Sequence, residues 1–206
     1  KSTVAKALAK ELGYTYIDTG AMYRAVTLYF LRNAIDTKNE AAVMQALASI
    51  DITFANEGKE VWLNGENVSD EIRQMPVAEK VSTISAIKAV RVAMVQQQRN
   101  IGQHQNVVMD GRDIGTAVFP DAELKLFMTA DPMVRAERRF KELTAKGEQV
   151  TIEEILANLT KRDHDDTTRA ESPLIQADDA VVLDNSYLNQ EQQLEWVKGL
   201  LKTKSN

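Results

Sequence analysis

Lys1-Ser2-Thr3, a lysine and two hydroxyl residues opening an amphipathic run, is the stretch from which the rest of the chain is read. The order matches the last three positions of a phosphate-binding loop, G-x-x-x-x-G-K-[ST]. In that loop the lysine reaches the β- and γ-phosphates of a nucleotide and the first hydroxyl ligates Mg²⁺. Taken alone, the tripeptide reads more readily as an ordinary helix start, so the functional reading must be carried by other residues. The glycines of such a loop would precede residue 1, which is Lys and not Met, and truncation is the simplest expectation.

Working outward, Val4, Ala5, Leu8, Ala9 and Leu12 recur at helical spacing and Gly13 follows as a C′ residue, which predicts a helix over 2–12. Tyr14-Thr15-Tyr16-Ile17 reads as a short strand running into Asp18-Thr19-Gly20, with helices expected over about 21–33 and 39–49. The texture changes at residue 51. Segments 51–54, 60–63 and 66–68 look like three short strands, separated by Asn56-Glu57-Gly58-Lys59 and by the hairpin signal Asn64-Gly65. This antiparallel patch reads as an insertion into a helical region. Helical structure resumes at Ser69-Asp70-Glu71 and continues to about 104, with a break expected at Pro76.

Beyond it, Val107-Val108-Met109 forms an apolar strand ending in Asp110-Gly111-Arg112-Asp113, and Leu124–Met128 forms another. Asp131-Pro132 caps the next helix, and Thr151-Ile152-Glu153-Glu154 is a capping box for the one after. Ala180–Asp184 is the last strand. The final helix begins near Asn189 and buries Leu194, Val197, Leu200 and Leu201. Strands alternating with helices predict an α/β layer protein with a mostly parallel sheet, and a ligand crevice at the carboxyl ends of its strands.

The composition, 44% apolar and 27% charged over 206 residues, suits one α/β domain with insertions and argues against disorder. No apolar run approaches the roughly 18 residues needed to span a membrane, and no signal peptide is expected. Without cysteine there is no disulfide framework, thiolate zinc site or cysteine nucleophile, which favours a cytoplasmic location. A net charge of −5 argues against broad nucleic-acid binding but leaves room for a small anion. Eleven arginines supply the guanidinium forks that bind phosphate bidentately.

Four polar clusters follow strands or open helices: Asp18-Thr19-Gly20 with Tyr23 and Arg24; Asp110-Gly111-Arg112-Asp113; Arg135 with Arg138 and Arg139; and Arg162 with Asp166 and Arg169. An aspartate delivered by an apolar strand beside a phosphate loop is what a Mg²⁺-nucleotide site requires, and Asp110 fits, although a plain turn residue is the alternative. Arg135, Arg138 and Arg139 could equally be a solvated face paired with Glu137 and Glu142. Arg162, Asp166 and Arg169 share a helical stripe and could face one ligand, or form an i,i+4 ion pair with a neighbour. Neither histidine has the company of a metal site or a catalytic triad. Together, the clusters suit phosphoryl transfer, which needs alignment and cations more than covalent help.

The blocks K-S-T at 1–3, I-D-T-G-A-M-Y-R at 17–24, D-G-R-D-I-G-T-A-V-F-P-D-A at 110–122, R-A-E-R-R at 135–139 and R-D-H-D-D-T-T-R at 162–169 resemble the bacterial cytidylate kinases, the CMP/dCMP-specific nucleoside monophosphate kinases. The resemblance covers essentially the whole chain. It implies a three-layer P-loop NTPase-type parallel sheet flanked by helices, with a small β-containing NMP-binding insertion and a helical lid. Lys1, Ser2 and Thr3 would complete the ATP phosphate loop, with Ser2 and Asp110 at the Mg²⁺. Arg24, Arg112 and Arg169 would hold the CMP phosphate and the transferring group, with Lys1, Arg112, Arg162 and Arg169 catalytic. Ser82, Arg91 and Asp113 would read the cytosine edge with Thr19 nearby. Tyr23, Arg162 and Asp166 would contact the pentose, and Arg135, Arg138 and Arg139 would belong to the ATP-side lid. Asp165 stands where some members carry a further arginine.

The implied division is core at 1–20, 89–134 and 173–206, an NMP-binding region at 21–88 with its β insertion at about 51–85, and a lid at 135–172. In such a fold a strand preceding the phosphate loop lies inside the sheet, so Lys1 is expected at the mouth of a sheet with an open central slot. The implied activity is phosphorylation of CMP and dCMP by ATP in pyrimidine nucleotide metabolism, by a monomer. The alternatives are another P-loop kinase of a small metabolite, or a nucleotide-responsive binding protein without transferase activity.

Overall fold

The computed structural model describes residues 1–145 and 147–204. Helix α1 (Ser2–Leu12) starts on the Lys1 carbonyl and stops at Gly13, whose φ of 68° is the left-handed cap that the spacing predicts. Strand β1 (Thr15–Asp18) runs one residue later than expected because Asp18 is still paired. Asp18 then turns the chain into α2 (Thr19–Arg32) by accepting from the Ala21 amide at 2.9 Å. Helix α3 (Glu40–Ala48) is capped in the same way by Asn39.

The segment expected to be an insertion folds as a three-stranded antiparallel sheet, β2 (Ile52–Ala55), β3 (Glu60–Leu63) and β4 (Glu66–Asn67). A 3₁₀ turn (Glu71–Arg73) leads to α4 (Met75–Ser85) and α5 (Lys88–Gln103). Pro76 corrects the expectation of a break. It sits in the first turn of α4, where its missing N–H is of no consequence, and the interruption falls instead at residues 86–87. Strand β5 (Val107–Asp110) is followed by a π-helical turn at Ile114–Val118, then β6 (Leu126–Thr129), α6 (Pro132–Ala145), α7 (Ile152–Thr168), β7 (Val181–Asp184) and α8 (Gln190–Lys204).

β1 pairs with β5 in parallel, placing Asp18 opposite Asp110, and β6 pairs in parallel with β7. Side-chain alternation along β5 shows the layering. Val107 and Met109 join a large core with α2, α4, α5 and the insertion, while Val108 joins a second core with α1, β6, β7 and α8. Helices α6 and α7 close a small core of their own around Ala136, Leu143 and Ile155. Among the described residues the β1–β5 and β6–β7 pairs share no ladder. Between them lies a cleft of about 430 Å³, lined by β5, β6 and the apolar face of α1, with Lys1 among its lining residues. No helix among the described residues is long and apolar enough to cross a membrane.

Candidate active site

Parallel pairing brings the carboxyl ends of β1 and β5 side by side, so Asp18 and Asp110 emerge together. Gly111 permits the tight exit that follows. A Cβ there would lie 2.4 Å from the Thr19 hydroxyl, which donates to the Asp110 carbonyl at 2.8 Å and stitches the start of α2 to β5. Asp18 also accepts from Arg24 at 3.0 Å.

The Asp110 carboxylate receives two hydroxyls: Ser2 donates to Oδ2 at 2.6 Å and Tyr16 to Oδ1 at 2.8 Å. Lys1 stands beside it. Desolvation by surrounding atoms, and then the charge of Arg112, push the Lys1 ammonium down, while Asp110 and Asp163 pull the other way. Thr3 is exposed. Among the described residues no three acidic or histidine side chains cluster as a metal cage. A carboxylate and a hydroxyl 2.6 Å apart are hard oxygen donors of the kind Mg²⁺ takes, since it keeps several waters and fills the rest of its shell from phosphate.

Arginines from separate segments crowd the adjoining space. Arg112 donates from Nε to Asp166, which also accepts from Arg169 at 3.2 Å. Of the two readings of this stripe, the i,i+4 pair between Arg162 and Asp166 gives way to pairing with Arg112, because α7 turns Asp166 toward the loop after β5. Arg162 is pushed down first by desolvation and then by Arg112, with Arg24 also contributing. Like charges are thus gathered with carboxylates to spare for only some of them. Two of the three α6 arginines depart from a simple solvated face. Arg135 pairs with Asp163 at 2.6 Å, and Arg138 donates to Asn185 Oδ1 at 3.1 Å and to the Asn185 and Ser186 carbonyls at 2.8 and 3.1 Å. Arg139 pairs with Glu142 at 2.8 Å on the surface, as that simpler reading has it.

A second polar group lies in the large core. Arg91 and Asp113, 3% and 4% exposed, meet at 2.5 Å, and the Arg91 guanidinium sits 5.1 Å from the centre of the Tyr23 ring. Burial is the main cause raising the Tyr23 phenol to about 12. Tyr23 Oη, Arg91 Nε and both amide atoms of Gln98 are buried without a hydrogen bond of good geometry. Ser82 is exposed on α4, and the nearby carbonyl that Arg91 reaches belongs to Ser85, at 3.2 Å.

Tyr16, Gln98, Asp163 and the Asn185-Ser186 corner were not singled out by sequence reasoning. Only Tyr16 carried a signal, since strand alternation places it on the opposite face of β1 from Ile17.

A family model described as cytidylate kinase matches residues 1–203. The chain is 55% identical over 204 residues to a cytidylate kinase of Parabacteroides distasonis, covering 96% of this chain and 89% of the relative. It is 54% identical over 204 residues to a cytidylate kinase of Bacteroides thetaiotaomicron, with the same coverage of 96% and 89%. Against a cytidylate kinase of Flavobacterium johnsoniae the identity is 49% over 213 aligned positions, covering 98% and 93%.

Proposed function

The chain belongs to the cytidylate kinase family, and on that premise we propose that it transfers the γ-phosphoryl group of ATP to CMP and dCMP, giving ADP with CDP or dCDP. The observation that carries this reading is the gathering of Arg24, Arg112, Arg162 and Arg169, from three separate segments, beside Lys1 and Asp110. Guanidiniums gathered in this way, with few carboxylates between them, favour a shared anion, and two phosphates about to exchange a phosphoryl group are such an anion.

In this reading Lys1 holds the β- and γ-phosphates, with Ser2 and Thr3 at the same helix start, where free amides face an anion. Asp110 and Ser2 would hold Mg²⁺, which neutralises charge on the phosphate oxygens. Arg24, Arg112 and Arg169 orient the CMP phosphate. One of its oxygens attacks the γ-phosphorus, the bond to the β–γ bridging oxygen breaks, and ADP leaves. The phosphate nucleophile needs no general base. The buried Arg91–Asp113 pair, together with Ser82 of α4, would read the cytosine edge: a carboxylate accepts from the exocyclic amine and a guanidinium donates to the ring acceptors. Uracil would leave these groups mispaired. Tyr23, Arg162 and Asp166 would sit along the pentose. Arg135, Arg138 and Arg139 would line the ATP side of an α6–α7 lid that excludes water and suppresses hydrolysis.

The direct test is to incubate full-length protein with ATP, Mg²⁺ and CMP and to separate the nucleotides. CDP and ADP should appear in equal amounts. ADP without CDP would contradict the reading.

A further inference from the structure

Asp110 is held by more than its own strand. Tyr16 lies two positions before the end of β1, opposite Val108 in the parallel register, and its side chain reaches forward across the pair to Asp110 on β5. The ring has little freedom. Tyr16 is 2% exposed, Lys6 Nζ stands 5.3 Å from the ring centre, and the Gly58 turn of the insertion backs directly onto the Tyr16 carbonyl. The hydroxyl donates to Asp110 Oδ1 at 2.8 Å.

We propose that Tyr16 is a positioning residue for the metal carboxylate: its hydroxyl fixes Asp110 Oδ1 and thereby presents Oδ2, on the Ser2 side, to the divalent cation that accompanies ATP. The inference rests on the assignment of Asp110 to that cation. A carboxylate on a strand end can rotate about its terminal bond, and each unproductive orientation lowers the effective affinity for a small cation that demands strict geometry. With a donor on each oxygen, Tyr16 at 2.8 Å and Ser2 at 2.6 Å, the plane of the Asp110 group is set before the ligand arrives. Because this role acts through the Asp110 carboxylate, its contribution falls on the metal dependence and leaves CMP recognition alone.

Tyr16→Phe keeps the ring and its packing and removes only the donor. In full-length protein, binding of a non-hydrolysable ATP analogue with an imido β–γ bridge is measured by calorimetry across a Mg²⁺ series and in EDTA, alongside steady-state kinetics over the same series. The substitution should raise the Mg²⁺ concentration for half-maximal binding and turnover roughly tenfold. Analogue affinity in EDTA and the KM for CMP should stay at wild-type values. An unchanged Mg²⁺ dependence, or an equal loss of affinity with and without Mg²⁺, would overturn the proposal. Asp110→Asn separates the two assignments. If it leaves the Mg²⁺ dependence unchanged, Asp110 is not the metal carboxylate and the role of Tyr16 falls with it. If it shifts that dependence while Tyr16→Phe does not, only the role of Tyr16 falls.

Discussion

Arg91 of α5 and Asp113 of the loop after β5 form an ion pair of 2.5 Å in which both side chains are more than nine-tenths buried. Two charges withdrawn from water in this way gain little over a well-packed apolar pair, whereas removing one strands the other. Asp113→Asn is therefore expected to lower the unfolding free energy by about 3 kcal/mol or more, measured by urea denaturation. The double variant Arg91→Met/Asp113→Leu should recover much of that stability and still fail to turn over CMP. Recovery of CMP turnover in the double variant would remove the pair from cytosine recognition.

Gly58 and Gly65 both turn hairpins of the insertion with φ near +80°, at 77° and 82°, but only Gly58 touches the core. A Cβ at Gly58 would lie 2.2 Å from the Tyr16 carbonyl oxygen, while one at Gly65 meets nothing within 4 Å. Gly65→Ala should cost about 1 kcal/mol from backbone strain alone. Gly58→Ala should cost clearly more, since the turn must lift off β1. Equal urea midpoints for the two variants would show that the insertion does not bear on that strand.

Tyr23 gives a stability signature at alkaline pH. Its folded pKa, raised to about 12 mainly by burial, lies above the unfolded value near 10. The folded state therefore keeps a proton that the unfolded chain releases, so this share of stability is intact below pH 10 and lost as pH rises toward 12. The full difference is of order 2 to 3 kcal/mol. Tyr23→Phe should flatten the decline in stability between pH 10 and 12. A decline as steep as in the wild type would contradict the shift.

Asp166 organises two cations at once, Arg112 and Arg169. Asp166→Ala frees Arg112, while Arg169 keeps its hydrogen bonds to the Ser172 carbonyl, and should lower kcat on the order of a hundredfold. Adding Arg112→Ala should then cost less than it does in the wild-type background, because the two residues act as one unit. Fully additive losses in a double-mutant cycle would show that Asp166 does not position Arg112.

Much of this arrangement is legible in the chain because local chemistry dictates it. The Gly13 cap, the Asn64-Gly65 turn and the Thr151–Glu154 capping box each satisfy backbone groups with residues close in sequence. Pro76 was legible as a helix boundary, but the side on which the helix lay was not. That depends on the N–H groups of α4 having no other use, which only the structure decides. The π-helical turn at Ile114–Val118 has no periodic pattern to betray it. In the site, residue types and the strand-end aspartates were readable, whereas partners were not. Asp166 turns to Arg112, 54 positions away, and Tyr16 to Asp110, 94 away, because strand order brings distant segments together. Helical spacing alone favours the nearer Arg162.

The central claim is that the arginine cluster and the buried Arg91–Asp113 pair serve phosphoryl transfer from ATP to a cytosine nucleotide. The measurement that meets it most directly is a coupled ADP-release assay on full-length protein with CMP, dCMP, UMP, AMP and GMP as acceptors, each at saturating Mg²⁺-ATP. CMP and dCMP should be turned over rapidly and UMP far more slowly, with AMP and GMP near background. Turnover of AMP equal to that of CMP, or none with CMP, would contradict it.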